Sequence, residues 1–449
     1  MLLPLPGTDG ILGKPFTPTV RTEAARLVSV PSLQLPLNES ESGLHEPFLR
    51  RAADTGADAS SGYALAAFLT MRLVDQFAAG RPAPHADALA YQVKATREFL
   101  NGLKPPTVES NHLGQIVRVS ARIGTSDKKR LLWPPLLAFA YWLEQELRTD
   151  EALDVLHTGL QLSGQEAGEE DIAAQLQLGR VLRLSGRFPE SAAAYARGGE
   201  LAAAGGDTHS EFRSRVGGAL VAQEQGNLPA AERILEGVLA DARSAGDRSA
   251  QALACHDLGT THYLMGRLAS AVQLTFTAFG LYDQRSQQMR ALADTGLVLK
   301  ELGHYSAAKR ALVLVLEHDA PPEARVRPLV ELMDLGALMQ DRLLFERGRR
   351  ELDRHLDALP PDEQVEHEMK LGRGLAAFDR QDEGEKHLER AVALAEQYGL
   401  GERLFRAEAM LEEARQRRDQ AATAPTPEAA PAPELRSTIE SLEALVLGG

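Results

Sequence analysis

Cys255, His256, Asp257 and His262 come nearest, by type and spacing, to a metal site. A thiolate, two imidazoles and a carboxylate would suit a divalent transition ion. On a helix, though, Cys255 and His262 stand two turns apart, about 10 Å by helix rise, which is too far to share one ion directly. Two interior residues filling space is the expectation, and no metal or other cofactor is predicted. Cys255 and His256 also fail as nucleophile and base, because adjacent helical residues point about 100° apart. The carboxylate runs Glu169, Glu170, Asp171 and Asp362, Glu363 fall between polar residues, where solvated surface is expected. Residues 1–125 hold His45, Glu46, Asp75, His85, Asp87 and His112, suitable for acid–base work but with no spacing that assembles them. A compact pocket joining His45 or His112 to a carboxylate would favour an enzyme, and a plain helical cap would count against one. The sequence has no G-x₄-G-K-S/T loop, H-E-x₂-H or G-x-S-x-G elbow. The expectation is a protein that is not an enzyme.

The bulk composition agrees. Of 449 residues, 44% are hydrophobic and 25% charged, but only 5% are aromatic. An Ala- and Leu-rich core with few rings suits closely packed helices better than a large sheet. The net charge of −14 disfavours general phosphate-backbone binding, and the one compact basic run, Lys128, Lys129 and Arg130, is too short to reverse that. A single cysteine excludes an internal disulfide. The start lacks the pattern of a signal peptide, and no apolar run is long enough to span a bilayer, so the protein reads as soluble and cytoplasmic, without nucleic acid or membrane partners.

The elements that must position any site emerge from self-comparison. Residues 176–198, 256–278, 293–315 and 369–391 align on one pattern: small residue, x₂, large, x₃, Gly, x₄, small, x₃, apolar. With the first small residue as marker, units fall at Ala140, Gly179, Ala219, Gly259, Gly296, Gly336 and Gly372, 36 to 40 residues apart. The markers are expected where a unit's two helices cross closely. Gly186, Gly226, Gly266 and Gly303 are expected in the left-handed conformation that closes the first helix. Two helices of this size cannot bury their apolar faces alone, so each unit must stack on the next. Unit one has Leu147, unit six Leu343 and unit seven Asp379 in place of the helix-ending glycine.

This pattern resembles the tetratricopeptide repeat, in a long-unit form similar to the sensor domains of bacterial regulators and peptide-responsive signalling proteins. The resemblance covers about 135–400. It implies an all-α, right-handed superhelical solenoid of helix pairs whose first helices line an inner groove. Positions three and six before the marker, and one, four and five after it, then face a guest. Carried over, these include Arg180, Arg183, Arg213, Gln223, Glu224, His256, Thr260, Tyr263, Arg290, Leu297, Lys300, Gln340 and Arg373. Six of the thirteen are cationic, a stripe suited to an acidic peptide or protein segment. The family's carboxylate clamp needs Asn one after the marker, where this chain has Arg180, Leu220, Thr260, Leu297, Ala337 and Arg373.

Charge and texture suggest the domains. Residues 1–125 carry 12 basic and 11 acidic side chains, which leaves −15 for the rest. Residues 1–60 read as an irregular arm, 61–125 as a helical cap, 126–420 as the repeats with a closing helix, and 421–436 as a Pro/Ala linker. Residues 437–449 read either as a short amphipathic helix with Ile439, Leu442, Leu445 and Val446 on one stripe, able to dock on a partner or back onto the groove, or as a frayed tail. The expected function is a non-catalytic peptide-binding scaffold or sensor. The rivals are an enzyme or accessory subunit with its site in 1–125, and a structural subunit of a larger assembly.

Overall fold

Helix pairs follow one another along the chain because the same local signals recur. A glycine or its substitute takes a left-handed conformation, the chain turns, and the unit's second helix starts two residues later. In the computed structural model, residues 44–54, 59–79, 85–124, 128–162, 168–317, 322–354, 361–417 and 427–445 are described. They are helical without a strand and form two compact units, one up to Gln225 and one from Gly226.

The first unit contains α1 (Glu46–Asp54), α2 (Ala59–Val74), α3 (Ala86–Gly102), α4 (Val108–Ile123), α5 (Trp133–Gln145), α6 (Thr149–Leu160), α7 (Glu169–Leu184), α8 (Phe188–Gly205) and α9 (Thr208–Glu224). Helix α1 lies inside the stretch expected to be an irregular arm. Its Phe48 is fully buried and stacks near Phe139 of α5, which gives this short segment an anchor. The remainder of that arm, 1–43 and 55–58, lies outside the described residues. Residues 111–124, open between helix and strand on sequence, belong to α4, started by a reciprocal cap between Thr107 and Ser110. One apolar core runs from Phe48 through Met71, Ile116, Leu136 and Leu156 to Ala194, so α1–α4 and the first repeats share a single interior.

The second unit contains α10 (Leu228–Ala245), α11 (Arg248–Leu264), α12 (Leu268–Leu281), α13 (Arg285–Glu301), α14 (Tyr305–Glu317), α15 (Pro322–Leu338), α16 (Arg342–Leu352), α17 (Pro361–Ala377), α18 (Gln381–Gln397), α19 (Gly401–Arg417) and α20 (Pro433–Glu443). Each helix from α10 to α16 packs on the next, as do α17 to α19, and α15 also touches α17. Left-handed residues close the first helices at Leu147, Gly186, Gly226, Gly266, Gly303, Gln340 and Asp379, at intervals of 37 to 40 residues. Gly246 closes α10 in the same conformation, and Asp247 after it caps α11 by accepting from the Ala250 N–H.

The markers lie at helix crossings. A Cβ on Gly179 would stand 2.9 Å from the Tyr195 ring, and one on Gly372 would stand 2.8 Å from the Gly384 carbonyl. Ser191, in the small column, donates to the Gly179 carbonyl at 2.6 Å.

Unit six departs from the expected register. Asp341 caps α16 by accepting from the Leu344 N–H, so α15 ends at Leu338 and Gln340 is the left-handed residue in place of Leu343. The unit is therefore shifted by three residues, and Met333 stands in the marker column, against Gly348. Phe345 takes the small column. The space comes from two glycines: a Cβ on Gly336 would lie 2.5 Å from the Phe345 nitrogen, and one on Gly374 would run into the Phe345 ring.

The C-terminal helix α20 begins at Pro433, inside the expected linker, and lies against α12 and α14. These are second helices. Docking back on the chain is observed, but not on the first-helix face where the groove was expected.

Candidate functional site

The candidate groove residues other than Gln340 sit on first helices, and four of the six cations among them, Arg180, Arg183, Lys300 and Arg373, are matched by an acid. In the first unit, Arg180 of α7 brings its Nε to 2.7 Å from Glu144 Oε1 of α5. Burial pushes the Glu144 carboxyl above its usual range against the pull of Arg180. Arg183 is buried and donates to Glu224 of α9 at 2.8 Å. Arg213 is exposed on α9, and Gln223 is half-buried near its end.

In the second unit, His256 of α11 is buried, with Nδ1 3.2 Å from the Tyr282 hydroxyl and Nε2 2.8 Å from Asp294 of α13. Arg290 approaches the same imidazole at 3.4 Å. Asp294 is held below the usual carboxylate range: burial opposes this, but the His256 bond and charge outweigh it. Thr260 turns its hydroxyl back to the His256 carbonyl, and Tyr263 and Leu297 are half-buried. Lys300, 7% exposed, reaches Glu331 at 2.5 Å and Asp334 at 2.9 Å on α15. From α17, Lys370 reaches Glu331 and Arg373 reaches Asp334. Burial would raise the Glu331 pKa, but Lys370 and Lys300 outweigh it and hold the carboxyl near 2. Burial would lower Lys300, and the two acids push it above the ordinary lysine range. On the last pair of first helices, Asp362 and Glu366 of α17 meet Arg403 and Arg406 of α19.

The expected set is thus only partly assembled. His256, Thr260 and Arg290 cluster, and Lys300 and Arg373 are joined through Asp334. Gln340 is not with them, because the three-residue shift puts it in the turn after α15. In the corrected frame its place, four after the marker, falls to Ala337, while Arg327 comes six before the marker and Asp334 one after it. Asp334 then occupies the column one after the marker, the same column as Arg180, Thr260 and Arg373. Cys255, His256 and His262 also go separate ways: Cys255 is buried, and His262 bonds Ser270 and Glu232. Among the described residues, no group of three or more His, Cys, Asp or Glu is placed to hold a metal ion.

The enzyme rival receives one piece of its own evidence. His45 is joined to two carboxylates, Asp154 at 2.6 Å and Asp75 at 3.2 Å. Yet His45 is 1% exposed, and although burial opposes its charge, the two acids raise its pKa to about 9. An imidazolium sealed in this way neither accepts a proton at neutral pH nor meets a substrate. His112 lies against Phe139 and Trp142, with its pKa lowered by burial.

No family model matches the sequence, and no curated protein does. Solved structures give distant likenesses. The apo form of the quorum sensor NprR from B. thuringiensis matches at 12% identity over 77% of this chain and 91% of its own, with a TM-score of 0.48. NprR in complex with its cognate peptide NprX matches at 13% identity over 80% and 99%, with a TM-score of 0.44. A Rap protein complexed with competence and sporulation factor matches at 12% identity over 79% and 98%, with a TM-score of 0.41. The helix crossings, the left-handed closures and their spacing carry the assignment of the fold. The repeat is tetratricopeptide-like.

Within this tetratricopeptide-like array, sequence reasoning placed Glu224 on the groove but missed the pairing of cations with acids on the next first helix. The signal was present. His256 and Asp294, Lys370 and Glu331, Arg373 and Asp334, Arg183 and Glu224, and Arg406 and Glu366 are each 38 to 41 residues apart, one repeat length.

Proposed function

We propose that this protein binds an extended peptide or protein segment along the first helices of its repeats, without catalysis, as a scaffold or sensor. The observation that supports this best is the set of acid–base pairs between consecutive first helices. They hold long, otherwise mobile side chains in fixed positions on a polar face, so a guest does not have to order them. In the second unit Arg373 remains 46% exposed despite its bond to Asp334, and in the first Arg213 is exposed, so each can reach a carboxylate of a segment bound on its own unit. An acidic segment is therefore the proposed guest. Because most of these cations already carry acid partners, it would be gripped by short charge-assisted bonds more than by long-range attraction. The closed His45 cluster does not support catalysis in residues 1–125.

The test is selection from a displayed random-peptide library, followed by titration of the enriched peptides. Expected is enrichment of acidic sequences whose affinity falls at least tenfold in Arg213→Ala or Arg373→Ala and is unchanged in Arg233→Ala on α10. No enrichment, or binding indifferent to the first-helix substitutions, overturns the reading.

A further inference from the structure

The second helices differ in a way that the groove reading does not use. Helix α10 carries Glu232, Arg233, Glu236, Asp241 and Arg243, as a solvent-facing helix should. Helix α12, LASAVQLTFTAFGL, has no charged residue at all. Helix α14 follows with Ala307, Ala311 and Leu314 all buried. On α12 Gln273, Thr277 and Gly280 stay exposed, but an uncharged helix with this much apolar surface gains from a cover beyond its own repeat neighbours. Here the cover is α20, whose Leu435, Ile439 and Leu442 are buried at i, i+4 and i+7, the spacing of an amphipathic helix laid in a groove.

The contact is also written in polar atoms along its length. Glu428 accepts from both the backbone N–H and the hydroxyl of Ser306, each at 2.8 Å, so the segment supplies a carboxylate to the first turn of α14. At α10 and α16 that first turn is capped locally, by Asn227 and Asp341. At α14 the corresponding residue is His304, whose Nδ1 instead donates to the Ala429 carbonyl at 3.2 Å. The Ala429 N–H donates to the Gly303 carbonyl at 3.0 Å. Gly303 is left-handed, and a Cβ there would stand 3.3 Å from Ala429, so the turn is bare where the segment passes. Further on, Gln273 of α12 donates to the Glu434 carbonyl, and Arg310 of α14 donates to the Leu445 carbonyl. An acid at an amide terminus, a backbone pairing, three apolar anchors and a guanidinium at the far end make a register that one sequence pattern satisfies.

We propose that the outer face of α12 and α14 is a second binding site, specific for an amphipathic helix preceded by an acidic extended segment, and that residues 427–445 are its resident occupant. The pattern read is Glu-x₆-Leu-x₃-Ile-x₂-Leu. Tethering gives the resident segment a local concentration on the order of millimolar, so a competing segment of the same pattern enters only when the resident helix is weakened or the competitor binds more tightly. This site is separate from the first-helix face, and either can fail alone.

The test uses the full chain with Leu435→Asp and Leu442→Asp, which spoil the resident helix and leave the array intact. A fluorescent peptide of residues 427–445 is then titrated by anisotropy. Expected is saturable binding to the variant and at least tenfold weaker binding to the wild type, whose site is filled. A peptide carrying Glu428→Gln should bind the variant several-fold more weakly, and one carrying Ile439→Asp should not bind. Equal absence of binding to both proteins, or equal binding of the Ile439→Asp peptide, overturns the proposal. A milder arm replaces Glu428 with Ala in the wild type and follows hydrogen exchange of the Ser306 amide. Faster exchange by several-fold is expected, and an unchanged rate also counts against the site.

Discussion

His45 shows how a single side chain can be fixed by its surroundings. Its backbone is left-handed, its ring is buried, and two carboxylates hold its proton to about pH 9. Unfolded, it would titrate near 6.5, so folding raises its pKa. The stabilisation is complete below about pH 6.5 and disappears as pH rises through about 9, and it amounts to roughly 3 kcal/mol at most. Urea denaturation of wild type and His45→Gln across that window should show a difference that shrinks with rising pH; a flat difference would mean that the charge is not what His45 contributes. A second position makes the opposite point. Leu147 is left-handed and 81% exposed, a conformation that costs a residue with a Cβ about 1 kcal/mol. Leu147→Gly should leave thermal stability level or raise the melting temperature by a few degrees, despite the added chain entropy.

At the scale of a helix pair, close approach decides what is tolerated. Gly218 on α9 has open space around it, whereas a Cβ on Gly336 meets the backbone of Phe345. Gly218→Ala should stabilise by about 0.5–1 kcal/mol through helix propensity, and Gly336→Ala should cost several times that in chemical denaturation. The buried ion network makes a third comparison. Lys300→Met leaves Glu331 and Asp334 with one cation fewer, at a cost of roughly 3 kcal/mol near neutral pH. Glu331 is depressed to about 2, so its share of that stability is present above pH 4.5 and is lost as pH falls towards 2. The pairing of helices was legible in the sequence because glycine at a crossing has few substitutes. The register of unit six was not, because Gly336 and Gly348 stand twelve apart as in a true unit while Asp341 starts the second helix three residues early. The ion partners escaped for another reason: each is unremarkable within its own repeat and acquires meaning only beside the next.

Across the molecule, a stacked array holds each pair mainly through its neighbours, so damage should stay local. Hydrogen exchange on Gly336→Ala should show lost protection in α15–α17 and little change in α1–α6, whose core contains none of those helices. Uniform loss would mean that the chain unfolds as one body. The docked C-terminal helix was half legible. The stripe of Ile439 and Leu442 announced a helix that needs a surface, but the surface itself was hidden in what α12 lacks. That lack reaches beyond recognition. With nothing ionic on α12, two molecules stripped of α20 would meet there without charge repulsion between the helices, and the net charge of −14 would be what holds them apart. Concentrated salt shields that repulsion, so precipitates of this protein should begin at α12.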